Sequence, residues 1–319
     1  MKTEGIANRR ALEESRSPAI QSRPAAATLP LVETLPENGV VDPFGHLLRT
    51  GAQTSAIIHG DVHRVLRQFA SGVFQTCVTS PPYWSLRDYG LDGQIGLEES
   101  VYDYLDALVA AFEEVRRVLR DDGTLWLNIG DSFTSGGRTW RAPDKKNRGR
   151  AMDVRPQTPK GLKPKDLIGV PWRLAFRLQE VGWYLRTEIV WHKPNAQPES
   201  VADRPTRSHE YVFLLSKSEK YYYDVKAVPG PNGRRMRTVW DINTQGSPGQ
   251  TNFAIYPPAL VRPCILSSTH EGDLVLDPFL GTGTTGAVAL ELGRRFVGVE
   301  LHARYVELAR QRLANGRSR

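Results

Sequence analysis

Short apolar segments alternate with segments of helical periodicity from Ser55 to the C-terminal part of the chain. The predicted strands are residues 56–59, 76–79, 124–129, 184–191, 210–215, 274–276 and 296–299. The predicted helices are residues 101–119, 172–182, 260–267, 283–292 and 303–314, with one short helix between the first two strands. This alternation predicts an α/β fold with a mostly parallel sheet, and residues 184–191 and 210–215 are expected to form its antiparallel edge.

Two boundaries follow from local signals. Asp121, Asp122 and Gly123 are expected to end the longest helix before the strand 124–129 begins. Residues 1–52 have no sustained periodicity and contain six basic and six acidic residues. That composition predicts a disordered tail ahead of one folded domain over residues 53–319.

Composition narrows the class of protein. The chain of 319 residues can bury a substantial core, and no segment approaches the ~18 apolar residues of a membrane span. Cys77 and Cys264 are the only cysteines, too few for a disulfide framework. A cytoplasmic protein is therefore expected.

A glycine-rich turn follows a predicted strand and opens the next helix. Its residues Gly281, Gly283 and Gly286 satisfy the pattern G-x-G-x-x-G, and Glu300 ends the following strand, where a carboxylate can accept both hydroxyls of a ribose. A nicotinamide dehydrogenase is one interpretation. However, only one helix follows Glu300, so a further strand of the nucleotide-binding sheet has to come from residues 57–61. The sequence therefore predicts a circularly permuted sheet.

A second motif, Ser80-Pro81-Pro82-Tyr83-Trp84, directly follows a predicted strand. Two prolines fix the backbone and remove two N–H donors, which leaves carbonyl oxygens as rigid acceptors. Ser80 and the carbonyl of Pro81 can accept the protons of an exocyclic amino group, whose conjugated lone pair is otherwise a weak nucleophile. Tyr83 offers a face on which an extruded base can stack.

These two motifs, in this order, resemble those of the β-type amino-DNA methyltransferases over about residues 55–313. The resemblance implies a Rossmann-like fold that uses S-adenosylmethionine to methylate the exocyclic amine of a flipped base in double-stranded DNA, without a covalent intermediate. It implies catalytic roles for Ser80, Pro81, Pro82 and Tyr83. Serine at the first position is the form associated with cytosine-N4 enzymes, whereas adenine-N6 enzymes usually carry Asp or Asn. The expected product is N4-methylcytosine; N6-methyladenine and a catalytically silent DNA-binding relative are the alternatives.

The resemblance also implies a cofactor site. The residues expected to contact the cofactor are Asp61, Phe253, Ala254, Asp277, Pro278, Phe279, Gly281, Thr282, Gly283, Thr284, Thr285 and Glu300. Asp61 is expected near the adenine and Glu300 at the ribose. Cys264 follows a proline but lies in a predicted helix before the cofactor turn, so a thiolate attack on cytosine C5 is not expected. No metal site is expected, because the sulfonium is already an activated methyl donor.

The excess positive charge of the chain is concentrated in residues 132–165. Ten basic and two acidic residues give this segment a net charge of +8, compared with +7 for the whole chain, and its glycines and prolines predict a loop. Such a loop is expected to grip DNA phosphates, and residues 195–208 and 230–249 are further candidates for recognition. The residues expected to contact DNA are Trp84, Arg138, Arg141, Lys145, Lys146, Arg148, Lys193, Arg234 and Arg235.

The folded domain is thus predicted to contain four consecutive parts. Residues 55–131 carry the catalytic motif, residues 132–165 form the basic loop, residues 166–250 contain edge strands and recognition segments, and residues 251–314 bind the cofactor. Double-stranded DNA is the expected partner, and the resemblance implies a prokaryotic or phage-encoded protein associated with the nucleoid. A separately encoded cognate restriction endonuclease and a homodimer are both compatible with the resemblance.

Overall fold

The computed structural model describes residues 31–32, 55–134, 156–245 and 256–315. The strands in this part are β1 (Leu31–Val32), β2 (Ser55–His59), β3 (Phe74–Thr79), β4 (Leu119–Ile129), β5 (Tyr184–His192), β6 (His209–Ser216), β7 (Val239–Asp241), β8 (Leu274–Asp277) and β9 (Arg295–Glu300). The helices are α1 (Val62–Leu66), α2 (Val101–Val118), α3 (Val170–Glu180), α4 (Pro258–Ser268), α5 (Thr284–Glu291) and α6 (Ala303–Asn315). All nine strands form one sheet in the order β1-β2-β9-β8-β3-β4-β6-β5-β7.

The N-terminal strand of the domain completes the C-terminal half of the sheet. β2 is parallel to β9, with Ser55 opposite Phe296 and His59 opposite Glu300. β8 is parallel to β9 on one side and to β3 on the other. The circularly permuted, mostly parallel sheet predicted from the sequence is therefore confirmed.

Two layers of helices cover the sheet. α1, α2 and α3 pack on one face, and α4, α5 and α6 pack on the other. Successive strand residues point to opposite faces, so Cys77 of β3 packs in the first layer and Val78 packs in the second. Among the described residues, no helix is long and apolar enough to cross a membrane.

The antiparallel part of the sheet lies beyond β4. β6 is antiparallel to both β4 and β5, as predicted. The outermost strand is nevertheless β7, which is parallel to β5 and places Trp240 opposite Trp191. The two predicted antiparallel strands are present, but the prediction that they form the outermost part of the sheet is wrong. A strand of three residues is too short to show an alternating pattern in the sequence.

The predicted end of the longest helix is also wrong. α2 ends at Val118, and Leu119 already has an extended backbone with φ −72° and ψ 146°. β4 begins at Leu119 and includes Gly123, where an added Cβ would lie 2.9 Å from the carbonyl oxygen of Arg120 and 3.1 Å from that of Gln75. Gly123 therefore permits close backbone contacts at the start of β4 rather than stopping the helix.

Part of the predicted tail is ordered. Leu31 and Val32 pair in parallel with Ile57 and Ile58 of β2. The prediction of disorder over residues 1–52 is wrong for these two residues, because the outer side of β2 would otherwise present unpaired backbone groups. The remaining residues of that segment lie outside the described part of the chain.

Candidate active site

The predicted motifs meet at one edge of the sheet, where the parallel strands end. β8 leads into α5 on one face and β3 leads towards α2 on the other, so the two connections diverge between these neighbouring strands. Open α/β sheets bind ligands at such a switch point. The Oγ1 atom of Thr79, at the end of β3, donates a 2.6 Å hydrogen bond to Oδ1 of Asp277, at the end of β8. This contact joins the cofactor motif to the Ser-Pro-Pro-Tyr motif.

Asp277 is fully buried at this junction. Its Oδ1 atom also accepts a 3.2 Å hydrogen bond from the backbone N–H of Phe279, and its Oδ2 atom accepts a 3.0 Å bond from the hydroxyl of Tyr256. Burial raises the pKa of the Asp277 carboxyl. Asp277 thus ties together β3, the glycine turn and the residues just before α4. Its predicted contact with the cofactor stays a prediction.

The glycines of the turn have different surroundings. Gly281 has φ +54°, and a Cβ added there would meet no protein atom within 4 Å. Gly283 has φ +84°, and its added Cβ would lie 3.0 Å from the Cβ of Ala309 in α6. At Gly286 the added Cβ would lie 2.5 Å from the ring of Phe296. Gly281 therefore borders open space, whereas Gly283 and Gly286 permit α5 to pack closely against its neighbours.

Glu300 faces this open space from the end of β9. Its Oε2 atom accepts a 2.8 Å hydrogen bond from the N–H of Gly281, and its Oε1 atom accepts a 2.7 Å bond from the N–H of His302. Burial raises the pKa of Glu300 to about 7, although both hydrogen bonds act in the opposite direction. Asp61, which was predicted to lie near the adenine, follows β2 and is the N-cap of α1. Its Oδ1 atom accepts a 3.0 Å hydrogen bond from the N–H of Arg64.

These groups fit a nucleoside cofactor. Open space beside Gly281 admits a ligand close to the backbone, and Glu300 supplies the acceptor that a ribose diol requires. The turn is held from α6 by Arg312, whose Nη1 atom donates hydrogen bonds of 2.5 Å to Oγ1 of Thr284 and 3.3 Å to Oγ1 of Thr282. Arg312 was not predicted from the sequence, because no motif distinguishes it from the other cations of the closing helix. Pro278 and Phe279 lie in the same turn and Thr285 lies at the start of α5, whereas Phe253 and Ala254 lie outside the described residues.

The Ser-Pro-Pro-Tyr motif is held from both sides of the sheet edge. The hydroxyl of Tyr104 in α2 donates a 2.8 Å hydrogen bond to the carbonyl oxygen of Pro82. The hydroxyl of Tyr83 donates a 2.7 Å bond to Oε2 of Glu210 in β6 and also contacts the Ser80 side chain. The Pro82 carbonyl therefore already accepts one hydrogen bond within the protein and has a second lone pair. The roles predicted for Ser80, Pro81 and Pro82 towards a substrate amine stay predictions.

Trp84 is buried in this structure. Its side chain is 5% exposed and packs in the core beneath α2, and its indole N–H donates a 3.0 Å hydrogen bond to the carbonyl of Glu98. The indole thus fixes the segment that follows the Ser-Pro-Pro-Tyr motif. This burial disfavours the DNA contact of Trp84, which stays a prediction.

Both cysteine thiols are buried in the core. Cys77 is in β3, and Cys264 in α4 donates a 3.2 Å hydrogen bond to the carbonyl of Leu260. Burial raises the pKa of each thiol. A buried thiol with a raised pKa is a poor nucleophile, so the geometry favours the prediction that no thiolate attacks the substrate.

The basic loop starts and ends beside the catalytic motif. Phe133 forms an antiparallel bridge with Leu167, and the N–H of Thr134 donates a 2.9 Å hydrogen bond to the carbonyl of Asp166. The guanidinium of Arg204 lies 3.9 Å from the centre of the Phe133 ring, so part of the predicted segment 195–208 packs on the base of the loop. The predicted DNA contacts Arg138, Arg141, Lys145, Lys146 and Arg148 lie outside the described residues.

The other predicted DNA contacts divide into two kinds. Arg234 and Arg235 are exposed beside a short 3-10 helix, Pro231–Gly233. Lys193 is only 16% exposed; it forms an ion pair with Glu210, and its ammonium lies 4.2 Å from the centre of the Trp191 ring. Lys193 therefore lies at the catalytic motif rather than on an outer surface. Glu210 was not predicted from the sequence, although a carboxylate at the start of an apolar strand was a signal for it.

Known DNA methylases resemble this chain in sequence and in fold. A family model for DNA methylases, of the N6 and N4 type, matches residues 74–311. The type II methyltransferase M.SmaI from Serratia marcescens is 57% identical over 282 residues, which cover 86% of this chain and 96% of M.SmaI. The structure of a DNA modification methylase from Thermus thermophilus, TTHA0409, solved with S-adenosyl-L-methionine, is 27% identical with a TM-score of 0.60 and covers 82% of this chain and 93% of its own.

A second solved structure shares the fold. The PvuII DNA methyltransferase, described as cytosine-N4-specific, has a TM-score of 0.62 at 21% identity and covers 84% of this chain and 92% of its own. Since the family model spans most of the chain and M.SmaI shares more than half of its aligned residues, the family assignment rests on sequence as well as fold. The chain belongs to the N6/N4 family of S-adenosylmethionine-dependent DNA methyltransferases.

Proposed function

We propose that this DNA methyltransferase acts on the exocyclic N4 amine of cytosine in double-stranded DNA. The observation that carries the proposal is the neutral hydroxyl of Ser80 at the first position of the catalytic motif, beside the Tyr83 phenol. A carboxylate or amide at this position is usual in the adenine-N6 members that the sequence resembles. The cytosine-N4 specificity of the PvuII enzyme supports the same choice by analogy of fold.

The residues of the motif orient the amine and accept its hydrogen bonds. The Ser80 hydroxyl and the Pro81 carbonyl accept from the two amino protons, which draws the nitrogen lone pair out of conjugation with the ring. The Tyr83 ring supplies a stacking surface for the flipped base. When bound, S-adenosylmethionine supplies an activated methyl group. On this account the amine nitrogen would take the methyl group directly from the sulfonium, S-adenosylhomocysteine would leave, and one amino proton would be released to water, so no enzyme nucleophile takes part.

We infer that the cofactor is held by groups at the ends of β2, β8 and β9. Glu300 accepts the ribose hydroxyls, and Asp61 lies at the next strand end, where the adenine is expected. The glycine turn around Gly281 approaches the remainder of the cofactor through its backbone. The Asp277–Thr79 hydrogen bond then sets the distance between this turn and Ser80.

We infer that DNA is gripped by the basic loop, whose two ends are fixed beside β4. The net charge of +8 in residues 132–165, together with the position of the described ends of this segment after β4, supports the proposal. Since M.SmaI is named a type II methyltransferase, we also infer that a separately encoded endonuclease cuts the same site when it is unmodified. The homodimer stays a prediction.

Product analysis tests the choice between the two amines. The purified full chain is incubated with λ-phage DNA and methyl-labelled S-adenosylmethionine, and the digested DNA is examined by mass spectrometry. We expect N4-methylcytosine, with neither N6-methyladenine nor C5-methylcytosine. N6-methyladenine as the main product would overturn the cytosine assignment, and duplex binding without any methylated nucleoside would indicate the catalytically silent alternative.

Neutralising the basic loop is expected to weaken DNA binding at all sequences. In a variant with Lys145, Lys146 and Arg148 changed to Gln, the slope of log affinity against log salt concentration is expected to fall by about 2 to 3, because each phosphate contact contributes about 0.9. Discrimination between cognate and non-cognate duplexes should change little. Fluorescence anisotropy with labelled duplexes over a range of salt concentrations measures both quantities.

A matched variant separates loop contacts from net charge. Changing the exposed residues Arg67, Lys220 and Lys226 to Gln removes the same charge away from the loop. We expect the salt slope of this control to match that of the unmodified chain. A loop variant that keeps its slope but loses discrimination would instead identify the loop as a base reader.

The affinity for S-adenosylhomocysteine is expected to rise with pH between about pH 6 and pH 8, through the raised pKa of Glu300, which is about 7. The ionised carboxylate accepts from two ribose hydroxyls, whereas the protonated form loses one acceptor position. The stability of the fold depends on pH in the opposite direction. The contribution of Glu300 to the free energy of unfolding is present below the unfolded pKa and is lost as pH rises through about 7. Calorimetric titrations across this range measure the affinity.

The variant Glu300→Gln should bind weakly with a flat pH profile. Glu180→Gln, on the exposed end of α3, changes the same functional group away from the site and should keep the rise with pH. A rise that persists in Glu300→Gln would assign the titration to another group.

A further inference from the structure

Glu210 forms the centre of a polar cluster beneath the acceptor motif. Its Oε2 atom accepts a 2.7 Å hydrogen bond from the Tyr83 hydroxyl and a 3.2 Å bond from the Nδ2 atom of Asn128, and its Oε1 atom forms the ion pair with Lys193. The side chains of Glu210 and Lys193 are 19% and 16% exposed. Tyr83 after β3, Asn128 in β4 and Lys193 after β5 thus each direct a donor to one carboxylate of β6.

The cluster leaves little freedom to the Tyr83 ring. A Cβ added at Gly130, just after β4, would lie 2.8 Å from Cε2 of Tyr83 and 3.3 Å from Cγ of Glu210. The ring therefore lies directly on the Gly130 backbone, while its hydroxyl is held by Glu210. The Tyr83 ring is contacted at Cε2 and its hydroxyl is hydrogen-bonded, so the ring keeps one plane. Packing alone would permit rotation about the side-chain bonds.

The position of Lys193 depends on the same carboxylate. Its ammonium lies over the Trp191 ring and pairs with Glu210, so a half-buried cation is stabilised next to Tyr83. Without Glu210 this ammonium would lose its charged partner and turn towards solvent. One carboxylate therefore fixes both the stacking surface and the nearest cation of the acceptor site.

We propose that Glu210 is a positioning residue that holds the Tyr83 ring in the plane required to stack the flipped base and holds Lys193 beside it. The proposal rests on the function proposed above, in which Tyr83 stacks the target base. Glu210 does not touch the substrate in this account. It acts through Tyr83, so its loss is expected to affect the bound state of the base and not the cofactor.

Two variants and their combination test the coupling. Glu210→Gln removes the charge, and Tyr83→Phe removes the phenol hydroxyl but keeps the ring. Each is expected to lower kcat about 30-fold, the size typical of a hydrogen bond to a charged group, with an unchanged KM for S-adenosylmethionine. The double variant is expected to lose about 30-fold in total rather than the product of about 900-fold, because both changes break the same interaction.

A spectroscopic signal reports the stacking itself. The methylated site is first mapped in λ-phage DNA, and the fluorescent pyrimidine 5-methyl-2-pyrimidinone then replaces the target cytosine in a short duplex. Stacking on Tyr83 quenches the fluorescence of the extruded base, so we expect Glu210→Gln and Tyr83→Phe to give brighter complexes than the unmodified chain at saturating protein. Gly130→Ala displaces the same ring without removing a polar group and should give the same increase.

A control variant and the product of the unmodified chain distinguish failure of the Glu210 proposal from failure of the proposed function. Glu188→Gln changes an exposed glutamate in β5 and should leave kcat and fluorescence unchanged. Additive losses in the double variant, or unchanged fluorescence in Tyr83→Phe, would overturn the role of Glu210. Tyr83→Phe also decides the question if Glu210→Gln does not fold. Absence of N4-methylcytosine with the unmodified chain would overturn the proposed function instead.

Discussion

A Gly281→Val variant is expected to lose at least about 10²-fold in affinity for S-adenosylhomocysteine while it remains folded. A Cβ at Gly281 meets no protein atom within 4 Å, so the valine methyl groups would occupy the space in front of the Glu300 carboxylate. No core residue is displaced by this change. Calorimetric titration measures the loss, and thermal unfolding without ligand shows whether the fold persists.

Backbone strain has to be separated from blocking of the site. Gly281 has φ +54°, where a side chain costs about 1 kcal/mol. Gly272→Val is the matched control, because Gly272 has φ +83° and equally open space. It lies in the turn before β8, whereas Gly281 follows β8, so the two glycines are at opposite ends of this strand. We expect a similar loss of stability and full affinity in this control. Undiminished binding by Gly281→Val would remove the assigned turn from the cofactor site.

Gly283 is less suitable than Gly281 for this test, although both glycines belong to the same sequence motif. The fingerprint assigns Gly281 and Gly283 alike to the cofactor, but an added Cβ at Gly283 would be 3.0 Å from Ala309. Ala309 lies 26 positions further along the chain, so its approach to Gly283 depends on how α6 docks. A valine at Gly283 would therefore disturb α6 as well as any ligand.

The parallel core of the fold was predictable because it is encoded locally. β3, β4, β8 and β9 are short apolar segments that alternate with helices, and the position of β2 followed from the strand missing after β9. The end of α2 was not predictable, since Asp121 and Gly123 resemble a helix stop. Their actual role in β4 depends on Gln75, which lies in β3 and is distant in sequence.

The candidate site divides in the same way. Ser80, Gly281 and Glu300 belong to contiguous motifs that end strands, so the sequence brought them to one edge of the sheet. Trp84 belongs to such a motif too, but its burial depends on the loop that returns to Glu98. Glu210 reaches Tyr83 across 127 positions. Contacts of this kind follow from the register of β6 against β4, which no local pattern in the chain specifies.

A Ser80→Ala variant is expected to lower kcat by about 10²-fold or more, with little change in the affinity for S-adenosylhomocysteine. The Ser80 hydroxyl accepts from the amino group, and this interaction strengthens as the nitrogen becomes tetrahedral in the transition state. The hydrogen bond between Thr79 and Asp277, which joins this motif to the glycine turn, is left intact by the variant. Single-turnover kinetics with labelled cofactor measure the rate, and calorimetry measures the affinity.

Two further variants define what the hydroxyl does. Ser218→Ala, beyond the end of β6, is the matched control and should keep full activity. Ser80→Asp introduces a stronger acceptor, but a pocket shaped for a pyrimidine is too small for a purine, so we expect no N6-methyladenine from it. Full turnover in Ser80→Ala would show that the Pro81 carbonyl alone activates the amine. Efficient adenine methylation by Ser80→Asp would show instead that residue 80, and not the size of the pocket, selects the base.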